Sequence, residues 1–180
     1  MDIVIIITEN SRKEKRSNFS HKRRDEMSKM KITGPWDMQK IESYLDTCVV
    51  PLKLAIISAR GWPVIASLWF FYEHGVIYCA SKEKSKVVQL LKKNNKCAFE
   101  VSPDAPPYHG VRGQGLATLR HDPSGKTLEN LHDRFLGNSK TPFKAWLMRG
   151  ASEEVIIRIT PSNLMSWDYR NRMDKECKDA

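Results

Sequence analysis

The run from residue 63 to residue 91 constrains the fold of this chain more than any other stretch. Residues 63–72 form an apolar segment rich in β-branched and aromatic side chains, which ends at Glu73-His74-Gly75. The segment is too short to span a bilayer, so it predicts a strand. Residues 76–80 repeat the same signature, and the two segments together predict a β-hairpin.

A helix is predicted directly after this hairpin, over about residues 83–93, with Ser81 as its cap. Its first turn is basic, because Lys82, Lys84 and Lys86 cluster there. Cations are unfavourable at a helix N-terminus, where free N–H groups and the macrodipole already present positive potential. A bound phosphate would remove that cost, and Ser81 and Ser85 add neutral donors. The residues alone leave two interpretations open, a solvated lysine-rich surface and an anion-binding site.

The length of 180 residues favours a single domain that can bury a sizeable core. The cysteines at positions 48, 79, 97 and 177 are scattered and form no Cys-x-x-Cys or Cys/His cluster. Neither a metal site nor a disulfide framework is therefore expected. Cys79 and Cys97 lie in predicted strands, where a reduced thiol behaves as a small hydrophobe, and this favours a cytoplasmic location.

Within an amino-terminal arm, residues 1–30, the stretch 11–30 holds eight basic residues against three acidic ones and so contributes much of the formal net charge of +9. Residues 11–28 have too little apolar content to pack, so the arm is expected to be disordered. Basic arms bind polyanions weakly and without sequence preference, and nucleic acid is therefore an unlikely main partner. An apolar burst at residues 3–7 precedes the basic residues, the reverse of a secretory signal, so neither a signal nor a membrane span is expected. The burst could be an extra edge strand or could lie upstream of the true start of the protein.

The remaining pattern is one of short strands with helices between some of them. A helix begins after Asp37, its predicted N-cap, and ends before Pro51. Strands are predicted over residues 53–59, 96–102, 110–119, 154–160 and 164–169, and helices over residues 127–136 and 142–148. A turn is predicted at residues 161–163, and the charged tail from Arg170 is expected to fray. This order lacks the strict alternation of a doubly wound sheet and predicts a small antiparallel barrel, mainly β with peripheral helices.

Three glycines, Gly110, Gly113 and Gly115, lie in one predicted strand. Glycine inside a strand marks a bulge, a barrel corner or the close approach of another backbone or a ligand. A barrel of this size is too narrow to hold a large ligand inside. A sizeable cofactor would therefore lie on the outer face of the barrel or at a subunit boundary.

The sequence resembles the FMN-binding split β-barrel family of the pyridoxamine 5′-phosphate oxidase type. The resemblance covers about residues 36–173 and rests on several short motifs in a fixed order. In the first half these are residues 63–70, residues 75–78, and Lys84-Ser85-Lys86 with the helix to Leu91. In the second half they are Val111 with Gly115 and Ala117, residues 134–137 followed by Phe143 and Trp146, and residues 166–170. It implies an antiparallel Greek-key split β-barrel over residues 31–173, between the arm and a tail of residues 174–180.

Carried over residue by residue, the resemblance implies FMN as the cofactor, with its phosphate on Ser85 and Lys86 and with Lys84 or Ser81 assisting. Main-chain groups of one strand would face the edge of the isoalloxazine ring, from Val64, Ile65, Ala66, Ser67, Leu68 and Trp69. Cys79 and Ala80 would flank the ribityl chain.

The family also implies a homodimer with two flavins at the interface, each completed by the other subunit. Trp167 and Arg170 are similar to residues that reach across that interface, although Trp167 could instead be a core tryptophan. Gly110 stands where the oxidase has a side-chain donor, and Arg112 or Gln114 on the same strand could substitute for it.

Departures from the oxidase bear on the substrate. Val64 and Trp69 stand where the oxidase has an arginine and a lysine, and residues 167–172 replace its basic and histidine cluster. The resemblance therefore implies a flavoprotein oxidoreductase with an unassigned small-molecule substrate or electron donor, rather than the oxidase itself. His109 is the best titratable candidate, although it could be an ordinary surface histidine, and no catalytic residue is predicted.

Alternative functions remain open at this point. A deazaflavin could replace FMN, or the chain could bind flavin or nucleic acid without being an enzyme. A haem-handling barrel would need an axial ligand, for which the nearby candidates are His74, His109, His121 and His132.

Overall fold

In a computed structural model, residues 30–139 and 141–176 of the chain are described. Contacts divide the chain into residues 1–31 and residues 32–180. The strands are β1 (Lys31–Thr33), β2 (Leu52–Ile57), β3 (Pro63–Leu68), β4 (Phe70–Glu73), β5 (Val76–Lys82), β6 (Lys96–Val101), β7 (His109–His121) and β8 (Glu154–Asp168). The α-helices are α1 (Met38–Thr47), α2 (Lys86–Lys93), α3 (Lys126–Leu136), α4 (Pro142–Met148) and α5 (Arg170–Glu176), and a 3-10 turn covers Ala151–Glu153.

The predicted arm lies outside the described residues apart from Met30, and so does the apolar burst at residues 3–7. Both stay predictions. Within the part of the chain that the structure describes, every helix is too short or too polar to cross a bilayer. The tail predicted to fray from Arg170 instead begins with α5.

The sheet has the order β3-β2-β6-β7-β8-β5-β4, and β1 pairs with β8 outside this order. Each neighbouring pair along the order is antiparallel. The two ends of the order, β3 and β4, are consecutive in the chain and are separated only by Trp69. Because one residue advances the chain by at most about 3.6 Å, the two edges of the sheet must meet there. The predicted mainly β, antiparallel barrel with peripheral helices is therefore confirmed.

The single strand predicted over residues 63–72 is wrong in one respect, because it breaks at Trp69. Residues 63–68 pair with β2, whereas residues 70–73 pair with β5. The hairpin therefore consists of β4 and β5 alone. A continuous run of apolar and aromatic residues carries no signal for such a break, since both halves have the same kind of composition.

The barrel interior is filled by the inward faces of the strands. Phe70 lies opposite Cys79, and Cys79 lies opposite Ile157, which gives one row across β4, β5 and β8. All three side chains are fully buried. Ile77 and Ile159 form a second fully buried pair across β5 and β8. Burial of such side chains is the main favourable contribution to folding.

Two long strands, β7 and β8, form the centre of the sheet. The turn predicted at residues 161–163 is wrong, because β8 runs without interruption through them. Pro161 pairs with Gly115 and Asn163 pairs with Gln114, so Ser162 is an extra residue in a bulge. A bulge is one of the few places where a strand accepts proline, which has no N–H for the ladder.

The glycines of β7 are required by close approach, as one of the sequence interpretations states. A Cβ atom on Gly113 would lie 2.5 Å from the carbonyl oxygen of Asn163 and 2.8 Å from Cζ of Phe99. A Cβ atom on Gly115 would lie 2.5 Å from the carbonyl oxygen of Thr160. Strands β7 and β8 can therefore lie this close only with glycine at these positions.

One arginine links two of the helices to the barrel. Arg134 on α3 donates hydrogen bonds to the carbonyl oxygens of Leu45, Asp46 and Cys48, at distances of 2.8, 2.5 and 2.9 Å. These carbonyls belong to the C-terminal end of α1, where the last turn has no intrahelical donors. The guanidinium also lies 5.2 Å from the ring centroid of Phe70. Arg134 thus joins α1, α3 and β4 at one point.

Replacing Gly113 with Ala should lower the free energy of unfolding by about 1 to 3 kcal/mol, since the added methyl group overpacks the β7–β8 contact. Denaturant unfolding followed by tryptophan fluorescence measures the change. Thr118→Ser on the exposed side of the same strand is the control, and it should change stability by less than about 0.5 kcal/mol. Equal stability of Gly113→Ala and the wild type would contradict the close approach of the two strands.

Candidate functional site

A cavity of about 320 Å³ lies at the corner where β3 passes into β4. Ser67, Leu68 and Trp69 line it from one side, and Ala80 and Ser81 of β5 line it from the other. These five are among the residues that the sequence assigns to a cofactor site. The indole of Trp69 stacks on Phe135 of α3, with ring centroids 5.2 Å apart and an interplanar angle of 13°. This stacking fixes the corner and gives the cavity a rigid wall.

Among the other lining residues, only Lys82 was singled out by the sequence, as part of the basic cluster. Leu128 and Leu131 of α3 and Leu147 of α4 add apolar lining, and Glu154 adds a carboxyl group. A volume of this size, with an apolar side and a few polar groups, is typical of a small-molecule site.

Beside the cavity, α2 begins at a hydrogen-bonded pair of serines. Oγ of Ser81 donates to Oγ of Ser85 at 2.9 Å, and Oγ of Ser85 accepts from the backbone N–H of Val88 at 3.3 Å. The predicted cap is therefore corrected from Ser81 to Ser85, because β5 continues to Lys82 and the helix starts at Lys86. Ser81 supports the cap instead of forming it.

Two backbone N–H groups at this helix end, those of Lys86 and Val87, have no hydrogen-bond partner among the described residues. Ser85 N–H is bonded to the carbonyl of Lys82 at 2.9 Å. Free N–H groups in the first turn, together with the helix dipole, favour an anion.

The lysines around this helix end divide into two kinds. Lys82 lies at the end of β5, with its Nζ 3.8 Å from the carboxylate of Glu153. Lys84 and Lys86 are exposed, and neither has a carboxylate within ion-pair distance in the described part of the chain. Two ammonium groups without a carboxylate partner and two free N–H groups are donors of the kind that bind phosphate, and the anion site stays a prediction. Only Lys86 lies in the helix itself, which corrects the predicted basic first turn.

The other predicted contacts on β3 and β5 differ in orientation. Val64 and Ala66 are half-buried and alternate with Ile65, which is 71% exposed. The Cys79 side chain is fully buried inside the barrel, and burial raises the pKa of its thiol. Only main-chain atoms of Cys79 could therefore face a cofactor on the outer surface.

Glu154, the first residue of β8, is a buried carboxyl that the sequence analysis missed. Only 8% of its surface is exposed, and burial raises its pKa above the ordinary value of 4.5. Lys82 acts on the pKa in the opposite direction and Glu153 in the same direction as burial. Two consecutive glutamates at the start of a strand look like solvent-exposed residues, so the sequence gives no signal for this burial.

The second group of predicted site residues lies on β7, β8 and α5, away from the cavity. The guanidinium of Arg112 lies 5.7 Å from the ring centroid of Trp167 and donates to Sδ of Met165 at 3.1 and 3.3 Å. Gln114 accepts from the side-chain amide of Asn163 at 3.0 Å. Within one chain these residues do not meet the residues of the first group, and a common site for both stays a prediction.

Trp167 explains why Gly110 carries no side chain. A Cβ atom on Gly110 would lie 2.8 Å from Cζ2 of Trp167 and 2.6 Å from the carbonyl oxygen of Val101. The indole therefore fills the space that a side-chain donor would use. Trp167 is half-buried and lines a second cavity of about 290 Å³ with Lys53 and Tyr108, so it is not a core tryptophan.

Arg170 is held by Asp168. Their side chains form an ion pair, and the guanidinium also lies 5.8 Å from the ring centroid of Trp36. Nε1 of Trp36 donates to Asp168 at 3.0 Å. The hydrogen bond from Arg170, assisted by the one from Trp36, holds the pKa of Asp168 well below its ordinary value of 3.8. This cluster ties the start of α5 to the segment before α1.

The histidines considered in the sequence analysis are dispersed. His109 accepts or donates at Nδ1 to the carbonyl of Pro107 at 2.8 Å and lies against the rings of Trp36 and Tyr44. His132 is fully buried, and its Nε2 has no partner. In residues 30–139 and 141–176, no group of three or more His, Cys, Asp or Glu side chains is placed to hold a metal ion.

Known proteins share the fold of this chain. No family model and no curated protein matches the sequence. A conserved hypothetical protein from Mycobacterium tuberculosis is 21% identical, with 76% of this chain and 87% of that chain covered and a TM-score of 0.65. An F420 reductase is 25% identical, with coverages of 68% and 94% and a TM-score of 0.59. A candidate pyridoxamine 5′-phosphate oxidase from Listeria innocua is 17% identical, with coverages of 71% and 92% and a TM-score of 0.51.

These likenesses identify the class of fold. The chain is an antiparallel Greek-key split β-barrel of the pyridoxamine 5′-phosphate oxidase type, as the sequence resemblance predicts. The likeness extends to the arrangement of the strands and helices, and the cofactor and the reaction are argued separately below.

Replacing Asp168 with Asn should lower the free energy of unfolding at pH 7 by about 1 to 3 kcal/mol, because charge-assisted hydrogen bonds are lost. The folded-state pKa of Asp168 lies below its ordinary value of 3.8, so its contribution is present above that pH and is lost as the pH falls further. The stability difference between the wild type and the variant should therefore shrink between pH 4 and roughly pH 2.5. Urea unfolding across this range measures it, and a constant difference would contradict the assignment.

Proposed function

We propose that this chain is a flavin-binding split-barrel protein that acts as an oxidoreductase, with FMN as its cofactor. The observation that carries the proposal is the convergence at one corner of the barrel. Ser67, Trp69 and Ala80 line the cavity there, and Ser81 links it to the capped helix end at Ser85. FMN has a planar ring and a terminal phosphate joined by a short chain. The ring would suit the apolar wall, and the phosphate would suit the helix end beside it.

Different groups of the chain would bind the phosphate and the ring of the cofactor. The free N–H groups of Lys86 and Val87, with the ammonium groups of Lys84 and Lys86, would hold the phosphate. Main-chain groups of β3 would face the ring. The bound flavin would supply the electron transfer, while the barrel orients it and restricts its contact with water.

The corner lacks the cationic side chains that the oxidase has there, and this bears on the substrate. Val64 and Trp69 stand where the oxidase carries cations, and Trp69 is stacked on Phe135. An apolar wall at this place does not favour a second phosphate. We therefore do not propose pyridoxine phosphate as the substrate, and we infer a less charged small molecule.

The outer face of the sheet supports a homodimer. It exposes several large apolar side chains on β2, β3, β7 and β8, namely Ile57, Ile65, Leu116 and Met165. The register places Ile65 next to Ala55, Ala55 next to Ala98 and Ala98 next to Gln114, so small side chains flatten this surface. Exposed apolar surfaces of this kind mark interaction sites. A second copy docked here would bring its Arg112, Gln114 and Trp167 towards the cofactor of the first.

A deazaflavin is the second candidate for the cofactor. The observation that favours it is the likeness to an F420 reductase, at 25% identity and a TM-score of 0.59. Both cofactors carry a tricyclic ring, a hydroxylated chain and a phosphate, so they would use the same corner. The absorbance spectrum of the bound chromophore distinguishes them.

Replacing Lys86 with Ala should weaken FMN binding by about tenfold or more, because one cation of the phosphate site is lost. Fluorescence quenching of FMN during titration with protein measures the dissociation constant. Lys93→Ala is the matched control, since Lys93 is also an exposed lysine of α2 but lies at its other end. Equal affinity of the two variants would count against the proposed phosphate site.

Replacing Ile65 with Asp should convert the dimer into a monomer, because a charge is placed in the apolar face that a second copy would cover. Sedimentation velocity measures the mass, and the melting temperature shows that the variant is folded. Asn130→Asp, an exposed change on α3, is the control and should leave the mass unchanged. A folded Ile65→Asp protein that stays dimeric would exclude this face as the interface.

A further inference from the structure

Glu154 stands out as the polar group of the cavity that the protein itself leaves unsatisfied. Its side chain has neither a hydrogen-bond donor nor an ion-pair partner in the described residues, and 92% of its surface is buried, since 8% is exposed. A buried carboxylate without a donor is costly, so such groups are rare in folded proteins. The oxygens of Glu154 are not sealed off, in contrast to Nε2 of His132. The cavity is therefore the place from which a donor can reach them.

The position of Glu154 relates it to the proposed phosphate site. Lys82 lies directly opposite Glu154 in the β5–β8 pairing, and Ser81 lies opposite Val155. Ser81 in turn is bonded to Ser85, the cap of α2. Glu154 thus lines the same cavity as Ala80, Ser81 and Trp69, and its partner in the strand pairing, Lys82, directly follows Ser81 in the chain. Between its phosphate and its ring, a flavin cofactor has a carbon chain that carries hydroxyl groups.

We propose that Glu154 binds the hydroxylated chain of the cofactor by accepting a hydrogen bond from one of its O–H groups. A carboxylate only accepts, and a polyhydroxyl chain offers several donors in a short length. The bond would be charge-assisted, which makes it stronger than a bond between neutral groups. This inference rests on the proposed flavin site and adds a residue to it. It applies equally to FMN and to a deazaflavin, since both carry such a chain.

The neighbours of Glu154 leave it available for this role. Lys82 is engaged with Glu153 at 3.8 Å, and the leucines of α3 and α4 contribute no charge to the cavity. At the end of β7, His121 lies 3.6 Å from Glu83. The Asp122 carboxylate accepts from Ser124 and from the N–H of Thr127. None of these groups supplies Glu154 with a donor.

The test compares FMN binding by the wild type, Glu154→Gln and Glu153→Gln at pH 8, where the FMN phosphate is fully ionised. Glu154→Gln keeps the shape but removes the charge, so its dissociation constant should rise about 3- to 10-fold. Glu153 is exposed and does not line the cavity, so Glu153→Gln should change the constant by less than about twofold. The melting temperature of the free Glu154→Gln protein should rise, since a buried unpaired charge is removed.

Two negative outcomes are distinguishable. A wild type that binds no FMN and no deazaflavin overturns both the proposed function and the role of Glu154. A wild type that binds FMN, with Glu154→Gln binding it as tightly, overturns the role of Glu154 alone. If Glu154→Gln does not fold, Glu154→Asp gives the same comparison, because it keeps the charge but withdraws it by one methylene group. An unchanged affinity in that variant likewise overturns the proposal.

Discussion

The rest of the structure depends on the corner at which one residue joins the two edge strands of the barrel. Strands β3 and β4 form the two ends of the sheet order, and only Trp69 separates them in the chain. The corner is held by the stacking of Trp69 on Phe135 and by Phe70, which is fully buried and lies under Arg134. Because α3 supplies both Phe135 and Arg134, the helix outside the barrel and the seam of the barrel depend on each other.

Several polar groups that could bind a ligand lie at the same corner. The cavity is lined by leucines and also by Ser81, Lys82 and Glu154. The serine pair connects this wall to a helix end with two free N–H groups and unpaired lysines. Elsewhere in the described residues, ion pairs join side chains such as Asp168 and Arg170 or Lys53 and Asp104. Unsatisfied donors and an unsatisfied acceptor at one place are costly to the folded protein, and a ligand with both an anion and hydroxyl groups would relieve them.

Much of the fold could be predicted from the sequence, because strand, helix and turn signals are local. The periodicity of residues 38–47 and the cap at Asp37 define α1, and close approach of another backbone is one of the interpretations that the glycines of β7 left open. The break at Trp69 and the bulge at Ser162 could not be predicted, since both are set by pairing partners far away in sequence. The cap at Ser85 was misplaced because β5 extends two residues further than its apolar run. The burial of Glu154 depends on helices that pack over it, and no pattern in its own segment reports that.

The central claim is that the corner at Trp69 binds a flavin-type cofactor. The most direct measurement is the visible spectrum of the protein purified from a cofactor-replete host, with the released chromophore identified by mass spectrometry. We expect one bound chromophore per chain, yellow in the oxidised state and bleached on reduction, with the mass of FMN. A folded protein that is colourless and takes up neither FMN nor a deazaflavin would contradict flavin binding at this corner.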